Sequence, residues 1–304
     1  MPAFALRPPL CHNSPMIIFL ILALGSLALA GLTYYLMGLY TAWWWFWTIP
    51  AFWLLYALAG FAAFMILLYL ISLCIARDKD KIYPPSRPAQ WMVRQTAFVI
   101  LKFMRVRVHV SGLGKLPGRG VAYAIVHNHL SMFDEFVLAA VLPSNLVFIS
   151  KPSNLRIPVA GAFMRKAGYL PIIQGDIANG TKIIGLGSEL LKKGERVCIA
   201  PEGTRNKDFP DPIMLPFHPG SFHLATDVEA PIAVFAIQNT GAIAKRFPSP
   251  THVYLDCVGI IEPEEAKTMS SKELASYAEG LIKTRLEKKM ARFYHLKKKD
   301  DQEG

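Results

Sequence analysis

Residues 16–76 contain no Asp, Glu, Lys or Arg. A bilayer core takes about 20 apolar residues per crossing helix, so this run is long enough for two and too long for the core hairpin of a soluble domain. It divides into residues 16–40 and 50–76 around TAWWWFWTIP, whose aromatic rings and Pro50 suit a turn at headgroup level. Five of the six tryptophans lie between Trp43 and Trp53. That turn also lacks Lys and Arg, whereas Arg7 precedes the first segment and Arg77, Lys79, Lys81 and Arg87 follow the second. The asymmetry predicts both ends, and the domain that follows, on the cytoplasmic face of the membrane. Ala28-Leu29-Ala30 has the form of a signal-peptidase site, but the apolar run continues past it, and an anchored hairpin is the expectation.

Cysteine is scarce. Cys11, Cys74, Cys198 and Cys257 are scattered without paired spacing, which excludes a disulfide framework or a zinc-finger site and suits a reducing compartment. Cys198, inside RVCIA, reads as a small buried hydrophobe. The chain also has no internal repeat, no low-complexity run, no nucleic-acid motif and no G-x-S-x-G elbow to present a serine nucleophile.

What is plentiful is apolar and basic. Hydrophobic residues make up 53% of the 304, and the mean hydropathy of +0.30 exceeds what a soluble globule needs. Lys and Arg number 33 against 22 Asp and Glu, and residues 283–299 hold eight basic residues against the single acid Glu287. With an apolar hairpin in the same chain, anionic lipid headgroups are the expected partner of this tail and nucleic acid is not. A solvated helix face is the competing reading.

Past the hairpin, Tyr83-Pro84-Pro85-Ser86-Arg87-Pro88 breaks the chain, since adjacent prolines exclude helix. A helix is expected from Pro88. At about 100° per residue Arg87, Arg94 and Arg105 fall on one line, opposite Met92, Val93, Val99, Ile100, Phe103 and Met104. Such a basic amphipathic helix suits the interface plane, although an ordinary domain helix shows the same stripe. From Val108 the pattern is α/β, with strand-like runs at 121–126, 146–149, 170–173, 197–200, 232–237 and 252–258. Residues 179–193 read as a helix closed by Gly194. The expected fold is α/β, a mixed, largely parallel sheet flanked by helices and preceded by a two-helix membrane hairpin. The expected divisions are 1–80 (hairpin), 81–107 (Pro-rich break and interfacial helix), 108–265 (one domain) and 266–304 (basic helical tail).

The chemistry is concentrated in Val121–Asp134, where a strand runs into Asn128-His129 and Asp134 follows after four intervening residues. On an ideal helix residues five apart point about 140° from each other. His129 and Asp134 therefore meet only if His129 sits on the turn before a helix and Asp134 in its first turn. A carboxylate on one imidazole nitrogen would fix the tautomer and leave the other nitrogen to accept a proton from an attacking hydroxyl. Ser131-Met132-Phe133-Asp134 is equally a capping box, with His129 a plain loop residue. A metal site of His127 and His129 with His218 or His223 is a third reading, without standard zinc spacing. Further on, Pro201-Glu202-Gly203-Thr204-Arg205 ends a strand in a turn whose freed amides and guanidinium suit a phosphate.

Together these motifs resemble the glycerolipid acyltransferases typified by bacterial 1-acyl-glycerol-3-phosphate acyltransferase, over residues 108–260 and in motif order. The resemblance implies a glycerophosphate acyltransferase-like fold, with His129 as general base and Asp134 as its orienting acid. It implies that Asn128, Lys151, Glu202, Gly203, Thr204 and Arg205 bind substrate. Lys151, with Pro158 and Gly161, matches the lysine-containing block, and Phe217 and Gly220 fit the segment after the third block. The implied reaction is direct transfer from acyl-CoA or acyl carrier protein to a lysolipid hydroxyl, with neither cofactor nor metal. Two positions depart from the family pattern. Gln174 stands where the second block has an arginine, and Val234 where the fourth has its second proline. The first opens the choice of acceptor to another lysophospholipid or a lyso-aminolipid. A membrane lipid or thioester hydrolase, with water as acceptor, and a catalytically silent lipid-binding protein are further alternatives.

Overall fold

The computed structural model describes residues 14–41, 47–118, 120–143 and 145–303, with side chains over these ranges apart from 14–19, 41 and 290–303. Arg7, Cys11, most of the aromatic turn and the side chains at the end of the basic tail lie outside them.

Two helices, α1 (Ser14–Leu36) and α2 (Thr48–Ile75), begin the chain and pack on each other. The Thr33 hydroxyl meets the Tyr56 hydroxyl at 2.8 Å between them. By length and composition α2, with 28 residues and a hydropathy of 2.5, is able to cross a membrane. Ser72 is its one buried residue among those described. The uncharged run therefore forms two helices that project an apolar surface.

The domain that follows is a seven-stranded sheet with helices on both faces. Its elements are α3 (Arg87–Phe103), β1 (Val106–Ser111), β2 (Ala124–His127), α4 (Phe133–Val141), β3 (Leu146–Ser150), α5 (Ala160–Lys166) and β4 (Leu170–Pro171). They continue with α6 (Ile177–Lys192), β5 (Arg196–Ile199), α7 (His223–Thr226), β6 (Ile232–Gln238), α8 (Ile243–Arg246), β7 (Thr251–Ile261), α9 (Pro263–Lys267) and α10 (Ser271–Glu303). The strand order is β1-β7-β6-β2-β5-β3-β4, parallel throughout except for β6 against β7. A register shift interrupts that antiparallel pair at Val234/Phe235.

Burial on both faces explains why the central strands read as continuous apolar runs. Ala124 and Val126, Val197 and Ile199, and Ile232 and Val234 face the layer formed by α6, α7 and α10. Ile125, Cys198, Ala233 and Phe235 alternate with them and face the layer of α3, α4 and α5. Helix α6 begins at Asp176, whose carboxylate accepts the Asn179 amide at 2.9 Å, and ends before Gly194, whose φ of +86° suits a residue without Cβ.

Three expectations change. Strand β1 starts at Val106 and pairs with β7, so the sheet begins inside the segment expected to end at 107. Helix α3 buries Ala89, Ala97 and Leu101 against the domain, which makes it a layer of the sandwich; of the arc expected to face lipid, Phe103 is 70% exposed while Val93 and Met104 pack on the core. The first half of α10 is likewise a core helix, burying Leu274, Ala278, Ile282 and Leu286. Two of its basic residues, Arg285 and Lys289, turn to buried Asp256 at 3.1 and 2.6 Å.

The hairpin is joined to the domain by a buried guanidinium. Arg165 of α5 donates to the carbonyl of Ala76, just past α2, at 2.8 Å and to the carbonyl of Leu155. The Ser86 amide also donates to Lys166 O at 3.0 Å. Removing a charged donor from two buried carbonyls costs on the order of 3 kcal/mol. Arg165→Met is expected to open this joint, so that limited proteolysis cuts residues 77–86 several-fold faster while the sheet domain stays resistant.

Candidate active site

The C-terminal ends of β2, β3, β4 and β5 open into a cleft of about 970 Å³, the crevice where open α/β sheets bind ligands. His129 stands in its wall with a side chain 20% exposed. Strand β2 delivers it there through Asn128, whose amide donates to Ile237 O at 2.9 Å and accepts from Ile237 N at 2.7 Å. Asn128 thus copies a strand pair with β6 after β2 has ended, and fixes where the chain turns.

His129 is then held on both sides of its own backbone by the Pro-Glu-Gly-Thr-Arg turn and the Asn206 that follows it. Its amide donates to Glu202 Oε1 at 2.8 Å, and its carbonyl accepts from the Asn206 amide at 2.7 Å. Glu202 Oε2 accepts from Leu215 N at 3.1 Å. Gly203 has a φ of +66°, and a Cβ there would lie 3.1 Å from the His218 ring.

The imidazole is oriented by Asp134, which is fully buried. Asp134 Oδ2 accepts from His129 Nδ1 at 2.8 Å, from Leu130 N at 2.7 Å and from Ser131 N at 3.0 Å. Oδ1 accepts from the Thr240 hydroxyl. With Nδ1 donating to a carboxylate, Nε2 is left without a proton and available as acceptor. The Ser131 hydroxyl meanwhile accepts from Phe133 N at 3.0 Å. Cap and base–acid pair therefore coexist in one turn, because the carboxylate that reaches back to Ser131 N also receives the imidazole.

Of the expected substrate contacts, Lys151, Gly203 and Arg205 line the cleft. Half-buried Thr204 lies outside its lining. Asn128 and Glu202 require correction. Both are buried, at 0% and 3% exposure, and the polar atoms of both side chains are spent on backbone groups. They position His129 and do not reach a ligand. Gln174 is in the lining, so the departure from the family pattern falls inside the site. His127, His218 and His223 also line the cleft, yet no three metal-binding side chains come together among the described residues.

Motif reading missed Thr240, Asn206 and Glu135. Thr240 reaches Asp134 from 106 residues away, a pairing without local signal, and Asn206 acts through its backbone. Glu135 stands beside the motif acid and lines the cleft.

Burial sets the other titratable groups. It pushes His127 down to about 4, leaving it neutral with Nδ1 donating to Asn128 O at 2.7 Å. It pushes both Glu135 and Glu202 up to about 7, against the hydrogen bonds that each accepts.

The fold and site thus define an α/β domain with an oriented imidazole and two cationic side chains in one cleft at the strand ends. Comparison with known proteins shows what this chain is similar to. Residues 107–238 match the family model described as Acyltransferase. It is 26% identical to the 1-acyl-sn-glycerol-3-phosphate acyltransferase of Saccharomyces cerevisiae over 63% of each chain. It is 33% identical to the chloroplastic 1-acyl-sn-glycerol-3-phosphate acyltransferase BAT2 of Brassica napus, over 45% of this chain and 39% of that one. The chain thus spans less than two thirds of the length of these curated relatives. The crystal structure of the 1-acyl-sn-glycerophosphate (LPA) acyltransferase PlsC from Thermotoga maritima superposes with a TM-score of 0.57. That match covers 75% of this chain and 89% of that one at 22% identity, and establishes the likeness of fold.

A carboxyl whose folded pKa lies above its ordinary value stays protonated in the fold after the unfolded chain has ionised, so the fold loses stability as pH rises between the two values. Glu135 does this between 4.5 and about 7. Thermal unfolding in detergent is expected to show Glu135→Gln gaining on the parent protein steadily across that interval, with the difference level above it.

Proposed function

We propose that this protein is a membrane-bound O-acyltransferase that moves a fatty acyl group from an acyl thioester to the free hydroxyl of 1-acyl-glycerol 3-phosphate, giving phosphatidic acid for phospholipid synthesis. The observation that carries this is the His129–Asp134 pair at 2.8 Å, in a cleft that also holds Lys151 and Arg205. The names of the relatives support the acceptor.

In this reading His129 Nε2 takes the proton of the glycerol hydroxyl, and the oxygen attacks the thioester carbonyl. The tetrahedral intermediate collapses with cleavage of the C–S bond, and the imidazolium returns its proton to the departing thiolate. Asp134 holds the tautomer and balances the imidazolium. Lys151 and Arg205 bind the acceptor phosphate, the guanidinium by a bidentate pair. The donor is acyl-CoA or acyl carrier protein, and no covalent enzyme intermediate is needed.

Helices α1 and α2 anchor the enzyme with the cleft at the cytoplasmic face. Apolar side chains such as Leu54, Leu58 and Ile66, each more than half exposed, need lipid to cover them. Basic residues after the hairpin meet anionic headgroups. Gln174 favours a second reading, acylation of a different lysolipid, because one guanidinium is missing from the phosphate site.

Purified protein given labelled acyl thioester and a panel of lysolipids should transfer to 1-acyl-glycerol 3-phosphate in preference to the others; a preference for another acceptor establishes the second reading. His129→Ala is expected to lower transfer by about 10²–10⁴-fold and Asp134→Asn by about a hundredfold or more, with expression intact. Full activity in His129→Ala overturns the mechanism. Arg205→Gln should raise the KM for the phosphate-bearing acceptor about tenfold and leave that for the thioester unchanged.

A further inference from the structure

The base–acid pair leaves one polar cluster of the cleft unused. Glu135 follows Asp134, but about 100° further round α4 it points elsewhere. Its carboxyl accepts the Ser150 hydroxyl at the end of β3 at 2.9 Å, and Ser150 Oγ accepts the Asn154 amide at 2.9 Å. All three residues line the cleft. The lining beside them is apolar, formed by Phe148, Ile149 and Cys198. Glu135 has no ion-pair partner among the described residues, and Ser150 is its one hydrogen-bond partner there.

A carboxyl in such a wall is costly unless something completes its hydrogen bonds. It makes no hydrogen bond to the dyad, since Asp134 receives the imidazole. The acceptor phosphate has its partners elsewhere, in Lys151 and Arg205, the Lys and Arg side chains that line the cleft. The uncharged parts of the acyl donor, its fatty chain and the amide-bearing arm next to the thioester, are what remain to pass this wall.

Resting on the acyl-transfer reading above, we propose that Glu135, Ser150 and Asn154 form a polar subsite that receives an O–H or N–H group of the acyl donor and so selects among donors. Two parts of a donor carry such a group: a hydroxyl on the fatty chain, or an amide of the pantetheine arm. An alkyl stretch laid against the same wall leaves the carboxyl unpaired and binds less well. The burial that holds Glu135 protonated up to about pH 7 lets it donate as well as accept.

The test measures kcat/KM with the full chain in detergent micelles, using three donors with one acceptor. Hexadecanoyl-CoA against 3-hydroxyhexadecanoyl-CoA isolates the chain hydroxyl, and hexadecanoyl-CoA against its analogue with both pantetheine amide N–H groups replaced by CH2 isolates the pantetheine amides. The parent protein is expected to favour the hydrogen-bonding member of one pair by about tenfold or more. Glu135→Leu should bring that ratio close to one, and Glu135→Gln and Ser150→Ala should retain part of it. If Glu135→Leu does not fold, the Gln and Ala variants carry the same comparison. An unchanged ratio in the variants, or a loss of rate that is uniform over all three donors, overturns the subsite while leaving the acyl-transfer reading intact. No transfer from any donor by the parent protein overturns both.

Discussion

The Asp134 carboxylate is the point on which the site depends. A fully buried carboxylate is expensive unless its lone pairs are answered, and here four donors answer them: the His129 ring, two successive backbone amides and the Thr240 hydroxyl. Each donor comes from a segment that must be in place first. The two amides need the turn that starts α4, and Thr240 needs β6 and the short helical turn after it. The imidazole is therefore oriented by an acid that the assembled sheet holds, and its tautomer is a property of the fold.

The same economy ties the two motifs together. His129 is gripped at its amide by Glu202 and at its carbonyl by Asn206, while Asn128 pins the preceding residue to β6. The phosphate-suited turn is thus a brace for the base as well as a carrier of Arg205. Placing Arg205 and His129 on one hydrogen-bonded frame limits how far they drift apart, which is what the near-attack geometry of the proposed transfer requires.

Much of the fold was legible because burial on two faces leaves a strong signal. The runs at 146–149 and 232–237 correspond to β3 and β6 almost residue for residue, and α6 announced itself through Gly194, its start lying two residues before the expected 179. Strand β1 was not legible, since an edge strand with Arg107 and His109 exposed resembles the end of a basic helix. In the site, motif and resemblance singled out His129, Asp134, Lys151 and Arg205, and the structure joins the first two and sets the other two in the cleft with His129. Asn128 and Glu202 were found but assigned to the ligand, because a motif records which residues are needed and not which way they face. Thr240 left no local trace, as its contact exists only once two distant strands lie side by side.

Three acids near His129 receive unequal treatment, and the inequality follows from how many donors reach them. Asp134 has four, Glu202 two backbone amides, and Glu135 one hydroxyl. Burial outweighs two donors as it outweighs one, and both glutamates are pushed up to about 7. Glu202 is enclosed, and each of its oxygens is answered within the fold by a backbone amide. Glu135 differs in standing at the cleft, where the missing donors can be supplied by whatever the cleft binds. An acid left short of partners inside a brace would be a weakness of the fold; the same shortage at the wall of a binding cleft is a demand placed on the ligand.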